Sequence, residues 1–173
     1  MFNQHYYNPG YVGIEQMTRM TLLHRTQWLG YEATISEDRE GGAPSQQELS
    51  IVHPLKIFKS KVVNSGIGLI LNNDVLGPWR RQDVKLDFSY HYKPRFGGIL
   101  GFGLRAGFQS QKINGGILRP SDEGDYVIER FAIQSKQTKP DIGAGIYYNS
   151  TKYYISASMS HIYKSTFDFG ATN

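Results

Sequence analysis

The sequence predicts an all-β chain, an antiparallel transmembrane β-barrel of the outer-membrane type, with about seven strands present. Three observations predict it. Apolar and polar residues alternate at period two over long segments, those segments match the length of a tilted strand crossing a bilayer, and the connections between them alternate between long and short. The composition agrees: 12 Tyr, 9 Phe and 19 Gly in 173 residues favour strands over helices.

Taken in order, residues 16–28 set Arg19, Arg25 and Gln27 on one face against Met20, Leu22 and Trp28 on the other. Residues 46–53 alternate Leu49 and Ile51 with Glu48 and Ser50, and 61–71 set Val63, Ile67, Leu69 and Leu71 against Asn64, Gly66 and Gly68. The clearest case is 81–93, where Arg81, Asp83, Lys85, Asp87, Ser89, His91 and Lys93 form a polar row beside Val84, Leu86, Phe88, Tyr90 and Tyr92. Successive strand side chains point to opposite faces, so one face is apolar and the other charged. In 98–110 the apolar row is Leu100, Phe102, Leu104, Ala106 and Phe108, opposite Gly101, Gly103, Arg105, Gly107 and Gln109, and Pro94-Arg95-Phe96-Gly97 makes a hairpin with the preceding strand. Two further strands follow, 141–149 with Ile142, Ala144, Ile146 and Tyr148, and 152–163 with Tyr153, Ile155, Ala157 and Met159.

The connections read as long (29–45), short (54–60), intermediate (72–80), short (94–97), long (111–140) and very short (Asn149-Ser150-Thr151). A barrel with long external loops and tight periplasmic turns produces this order, so 29–45 and 111–140 are expected outside and residues 1–15 form an N-terminal periplasmic segment. Trp28, Tyr90, Tyr92, Tyr148 and Tyr153 fall at strand ends, where the aromatic girdles of such a barrel belong. The competing architecture is a soluble antiparallel barrel whose apolar face is its core. It leaves Gly66/Gly68, Gly101/Gly103 and Gly143/Gly145 on a solvent face, which has no use for them. Single-chain barrels close with an even strand number, so seven strands are expected to be about half of a larger barrel, or to have their edge covered.

The mean hydropathy of −0.44 does not exclude a membrane protein, because a barrel places apolar residues at every second position and escapes window averages. Zero cysteine removes thiolate catalysis, disulfides and Cys-based zinc sites. His5, His24, His53, His91 and His161 show no metal-ligand spacing. The glycines at 101, 103 and 107 imitate a dinucleotide fingerprint, but with wrong spacing and inside a strand. No nucleophile elbow or phosphate loop is present. Asp83, Lys85 and Asp87 read as a charge ladder in a polar lumen, and Asp122-Glu123-Gly124-Asp125 as a solvated acidic loop rather than a calcium site. Asn149-Ser150-Thr151 fits a glycosylation acceptor but forms the tightest turn. The net charge of +4 is dispersed, with no nucleic-acid footprint. No catalytic, cofactor-binding or metal residue is therefore nominated.

Several segments carry a family resemblance. The opening Phe2-Asn-Gln-His-Tyr-Tyr-Asn8-Pro9-Gly-Tyr-Val-Gly13 resembles the mature start of the PorP/SprF family, and His24-Arg25-Thr-Gln27-Trp28-Leu-Gly30 is similar to its Arg-x-Gln-Trp signature. Gly66-Ile-Gly68-Leu-Ile-Leu-Asn72-Asn73-Asp74 with Gly77-Pro78, then Phe88-Ser-Tyr90-His-Tyr92 and Gly143-Ala-Gly145-Ile-Tyr147-Tyr148, continue the likeness in order along nearly the whole chain. Gly10 and Val12 stand where the family tends to have Ala, and members are usually about twice as long. The resemblance implies an outer-membrane barrel of the type IX secretion system of Bacteroidota, not an enzyme, without a cofactor. Its implied partners are a secreted cargo or adhesin, recognised by its C-terminal domain, and periplasmic secretion components. A passive diffusion pore is the alternative, suggested by the polar row Arg19, Arg25, Lys85, Asp87 and Arg105.

Overall fold

The computed structural model describes residues 3–29, 43–55, 64–113 and 135–163. Among the described residues a short helix α1 (Gln4–Tyr7) and a 3-10 turn (Pro9–Tyr11) precede seven strands. These are β1 (Arg19–Thr26), β2 (Ser45–Leu55), β3 (Asn64–Leu76), β4 (Trp79–Tyr92), β5 (Ile99–Ile113), β6 (Ser135–Asn149) and β7 (Tyr154–Met159). They pair antiparallel in chain order and curl into a half-barrel. The all-β class and the seven strands are as the alternation predicts.

Which face is buried decides between the two architectures left open by the sequence. Along β4 the odd positions Asp83, Lys85, Asp87, Ser89 and His91 are buried, and the even positions from Val84 to Tyr92 are exposed. Charge lies inside and hydrocarbon outside, the reverse of a soluble core. A soluble barrel is therefore excluded in favour of one whose outer face meets lipid.

The register shows where that lipid contact begins and ends. Across the outer face, His24, Gln47, Asn73, Gln82, Ser110 and Thr138 stand side by side as one polar row. The next row is Leu22, Leu49, Leu71, Val84 and Phe108, and the one after it Met20, Ile51, Leu69, Leu86, Ala106 and Ile142. Apolar rows continue to Tyr90, Tyr92 and Tyr148, beside which Tyr153 lies 5.9 Å from Tyr148 between ring centroids. From Val84 to Tyr92 the strand advances roughly 27 Å at about 3.4 Å per residue, close to the ~25 Å apolar band of outer-membrane barrels before tilt is allowed for. The tyrosines thus form a girdle at the end that carries residues 94–97. Trp28 stands beyond the polar row at the opposite end.

Three boundaries run beyond the sequence expectation, for one reason, while β1 (Arg19–Thr26) and β7 (Tyr154–Met159) fall inside the expected 16–28 and 152–163. Residues 72–80 are not an intermediate loop: β3 and β4 run on to a two-residue turn at Gly77-Pro78, with Gly77 at φ 56°. A positive φ at the first turn residue suits the right-handed twist of a hairpin, and glycine adopts it without a Cβ penalty. The polar residues that read as loop are paired across the ladder, Asn73 with Gln82 and Asp74 with Arg81. Likewise β5 extends to Ile113 and β6 begins at Ser135, with Gln111 opposite Gln137 and Gln109 opposite Lys139. Polar composition here marks strand that has left the lipid rather than loop. The regular alternation of long and short connections consequently fails at 72–80. What remains of the two long connections, with the acidic run 122–125, lies outside the described residues.

Both sheet edges are open among the described residues: β1 and β7 each pair on one side only. Every residue of β7 is exposed.

Candidate functional site

The inner face of the sheet is filled by the N-terminal segment, His5 to Ile14, and the sequence explains how. Asn8 adopts an extended conformation and its side-chain oxygen accepts a bond of 2.8 Å from the Gly10 amide, capping the 3-10 turn whose first residue is Pro9. A capping Asn followed by Pro at the first turn position is the local signature of a helical start. Gly13 then takes φ 79°, and its α-carbon faces that of Gly66. The chain turns there and reaches β1 through exposed residues 15–18.

Glycines on the strands make room for this backbone. A Cβ at Gly66 would overlap the Val12 carbonyl, at Gly68 the His5 ring, at Gly101 and Gly103 the backbone of Gly10 and Pro9, and at Gly145 the Asn8 side chain. All five belong to the glycine pairs that had no use on a solvent face. Their use is close approach of a second backbone.

The wall's polar side chains hold the segment largely by its main chain. Ser89 Oγ donates to the Gly10 carbonyl at 3.2 Å, and His91 Nε2 donates to the Val12 carbonyl at 2.8 Å. Arg105 donates through Nη1 to the Tyr6 carbonyl at 2.8 Å and through Nη2 to the His5 carbonyl at 2.7 Å. The same guanidinium forms a two-pronged pair with Asp87, at 2.8 and 2.6 Å, and His5 Nε2 completes the carboxylate's contacts at 2.7 Å. Asp87 and Arg105 are 3% exposed and His5 is 1% exposed, so the charges sit where only full pairing makes them tolerable. Nearer the Gly77 end, Lys85 lies 3.9 Å from Asp83 and 3.5 Å from Asp141, with its ammonium 5.8 Å from the Tyr6 ring centre. His161 Nδ1 reaches Asp141 at 2.8 Å.

At the foot of the segment a small apolar cluster of Tyr11, Ile14 and Tyr147 forms against Ile99. Tyr147 donates to Gln4 Oε1 at 2.7 Å, and Tyr11 donates to Glu15. Burial, with the Glu15 carboxylate beside it, pushes the Tyr11 phenol up, keeping it protonated as the donor. Asn8 Nδ2 reaches the Ile146 carbonyl at 3.0 Å and the Ala157 carbonyl at 3.2 Å, tying β6 to β7 from inside.

Several residues singled out from the sequence meet here. Asp83 and Lys85 share the inner face as a charge ladder, whereas Asp87 is drawn out of it by Arg105 and His5. His24 and His53 face outward, His53 bonding Thr18 at 2.8 Å. Among the described residues no three metal-ligating side chains converge. The segment's role as a filling of the lumen was not read from the sequence. The available signal was the set of glycines on a polar strand face together with the Asn-Pro turn.

A family model described as the type IX secretion system membrane protein PorP/SprF matches residues 1–173. No curated protein and no solved structure matches significantly. The match spans the whole chain, and the outward hydrocarbon band is what an outer-membrane location demands of a sheet, so the chain belongs to the PorP/SprF family of type IX secretion outer-membrane proteins.

Proposed function

We propose that the protein is a non-enzymatic barrel that assists export or surface anchoring of a type IX cargo such as an adhesin, engaged through the cargo's C-terminal domain, while its own lumen stays closed. The occupied inner face carries the reading. A passive diffusion pore, the alternative, needs a water path along the polar row. Here that row is bonded to residues 5–12: Asp87 on β4 to the His5 ring, and Ser89 and His91 on β4 and Arg105 on β5 to main-chain carbonyls. In this reading the 94–97 end, the turn at 54–60 and the foot of residues 1–15 face the periplasm and its secretion components. Loops 29–45 and 111–140 face outward and hold the cargo.

Planar-bilayer recording separates the two. The full-length protein is expected to leave the bilayer silent, and steady open-channel current would sink the closed-lumen reading. Pulldown from detergent-solubilised outer membranes is expected to recover an exported adhesin or a secretion component, and recovery of neither would count against the cargo role.

A further inference from the structure

We infer that the glycine-walled inner face is a peptide-binding site occupied in cis: the N-terminal segment is an exchangeable ligand, and a peptide with an Asx-Pro turn followed by glycine competes for the same seat in trans. This inference stands independently of the cargo reading.

Four observations carry it. First, the wall reads main-chain carbonyls through Ser89, His91 and Arg105, and such contacts accept any backbone that follows the same path. Second, selectivity is steric and local: a Cβ at Gly10 would come 2.9 Å from the Gly101 carbonyl oxygen, and Asn8 both caps its own turn and bonds two strand carbonyls. Third, the segment adds no strand to the sheet, whose ladder runs β1 to β7 without it. Its attachment is the exposed stretch 15–18. Fourth, the seat is polar. Asp87 keeps its two-pronged Arg105 partner when His5 leaves, and water can replace the bonds at Ser89 and His91, while the hydrocarbon that departure uncovers includes the small cluster of Tyr11, Val12 and Ile14 with Tyr147 and Ile99 of the wall. A segment meant as a permanent core element would be apolar, because apolar burial is what makes extraction costly.

The test uses a full chain with a protease site inserted between Met17 and Thr18, folded in detergent and then cut. A fluorescein-labelled peptide of residues 3–15 is titrated against it. The expected result is saturable binding, displacement by unlabelled peptide, and competition weakened about five-fold in a peptide carrying Asn8→Ala and at least ten-fold in one carrying Gly10→Val. A labelled peptide that never enters the cut barrel overturns the inference, as do variant peptides that compete equally well. On the uncut wild-type chain, hydrogen exchange gives a reading that needs no insertion. Amides of residues 10–14 are expected to exchange through local opening well before the β4–β5 ladder, and equal protection of the two overturns exchangeability.

Discussion

On the outer face of the sheet Leu86 is 62% exposed and Leu104 66%, while their neighbours along the chain, Lys85 and Arg105, are 4% and 3% exposed on the inner face. The two faces share strands, register and backbone bonding, and differ only in what lies against them. Lipid covers the outer face, so it needs no complementary shape, only apolarity, and its side chains range freely in size from Ala106 to Phe108. The inner face lies against a specific polypeptide. Its residues are fixed individually: glycine where a backbone passes, a paired charge where one is buried, a donor where a carbonyl arrives. Tolerance to substitution should therefore follow chemistry outside and geometry inside.

The sharpest way to break this contrast is to strip a buried charge of its partner. Arg105→Met leaves Asp87 with His5 alone and should cost about 3–5 kcal/mol in urea unfolding from lipid vesicles, whereas a Met in place of outward Leu104 should change little. The converse test places charge in lipid. Leu86→Arg sits in the second apolar row from the polar boundary and should cost about 2–4 kcal/mol by the same measurement, with Asn73→Arg, on the polar row itself, costing far less. Next comes geometry. Gly103→Val drives a side chain into Pro9 and Gly10 and should destabilise by about 1–3 kcal/mol. It should also release residues 3–14 to protease, while Ala106→Val one face away leaves them protected. The smallest effect is expected at Asn8→Ala, about 1 kcal/mol for loss of the turn cap. Faster hydrogen exchange confined to β7 would show that Asn8 ties the edge hairpin.

The period-two rows of β4 and β5 were legible because alternation is a local property of a strand, and every outward residue named from those rows is outward. The ends of β3, β5 and β6 were not legible. Asn73-Asp74 and Gln137-Thr138 have loop composition, yet they are strand at and beyond the polar row, and only their cross-strand partners distinguish the two. The glycine pairs were visible as an anomaly, since a polar face has no need of them, but the sequence holds no record of which distant segment fills the space. Close approach between residues about 50 to 140 positions apart is a tertiary fact.

What the sequence determined by itself was therefore the class and the lipid-facing surface: antiparallel strands, one face hydrocarbon, tyrosines at the rim. Alternation and composition suffice for that, because a bilayer selects on polarity and depth alone. The tertiary structure decided that the N-terminal segment lies against the charged row. It brought His5 to Asp87, the Tyr6 carbonyl to Arg105 and Gly10 to Ser89, and a buried charge is stable only when such partners arrive together.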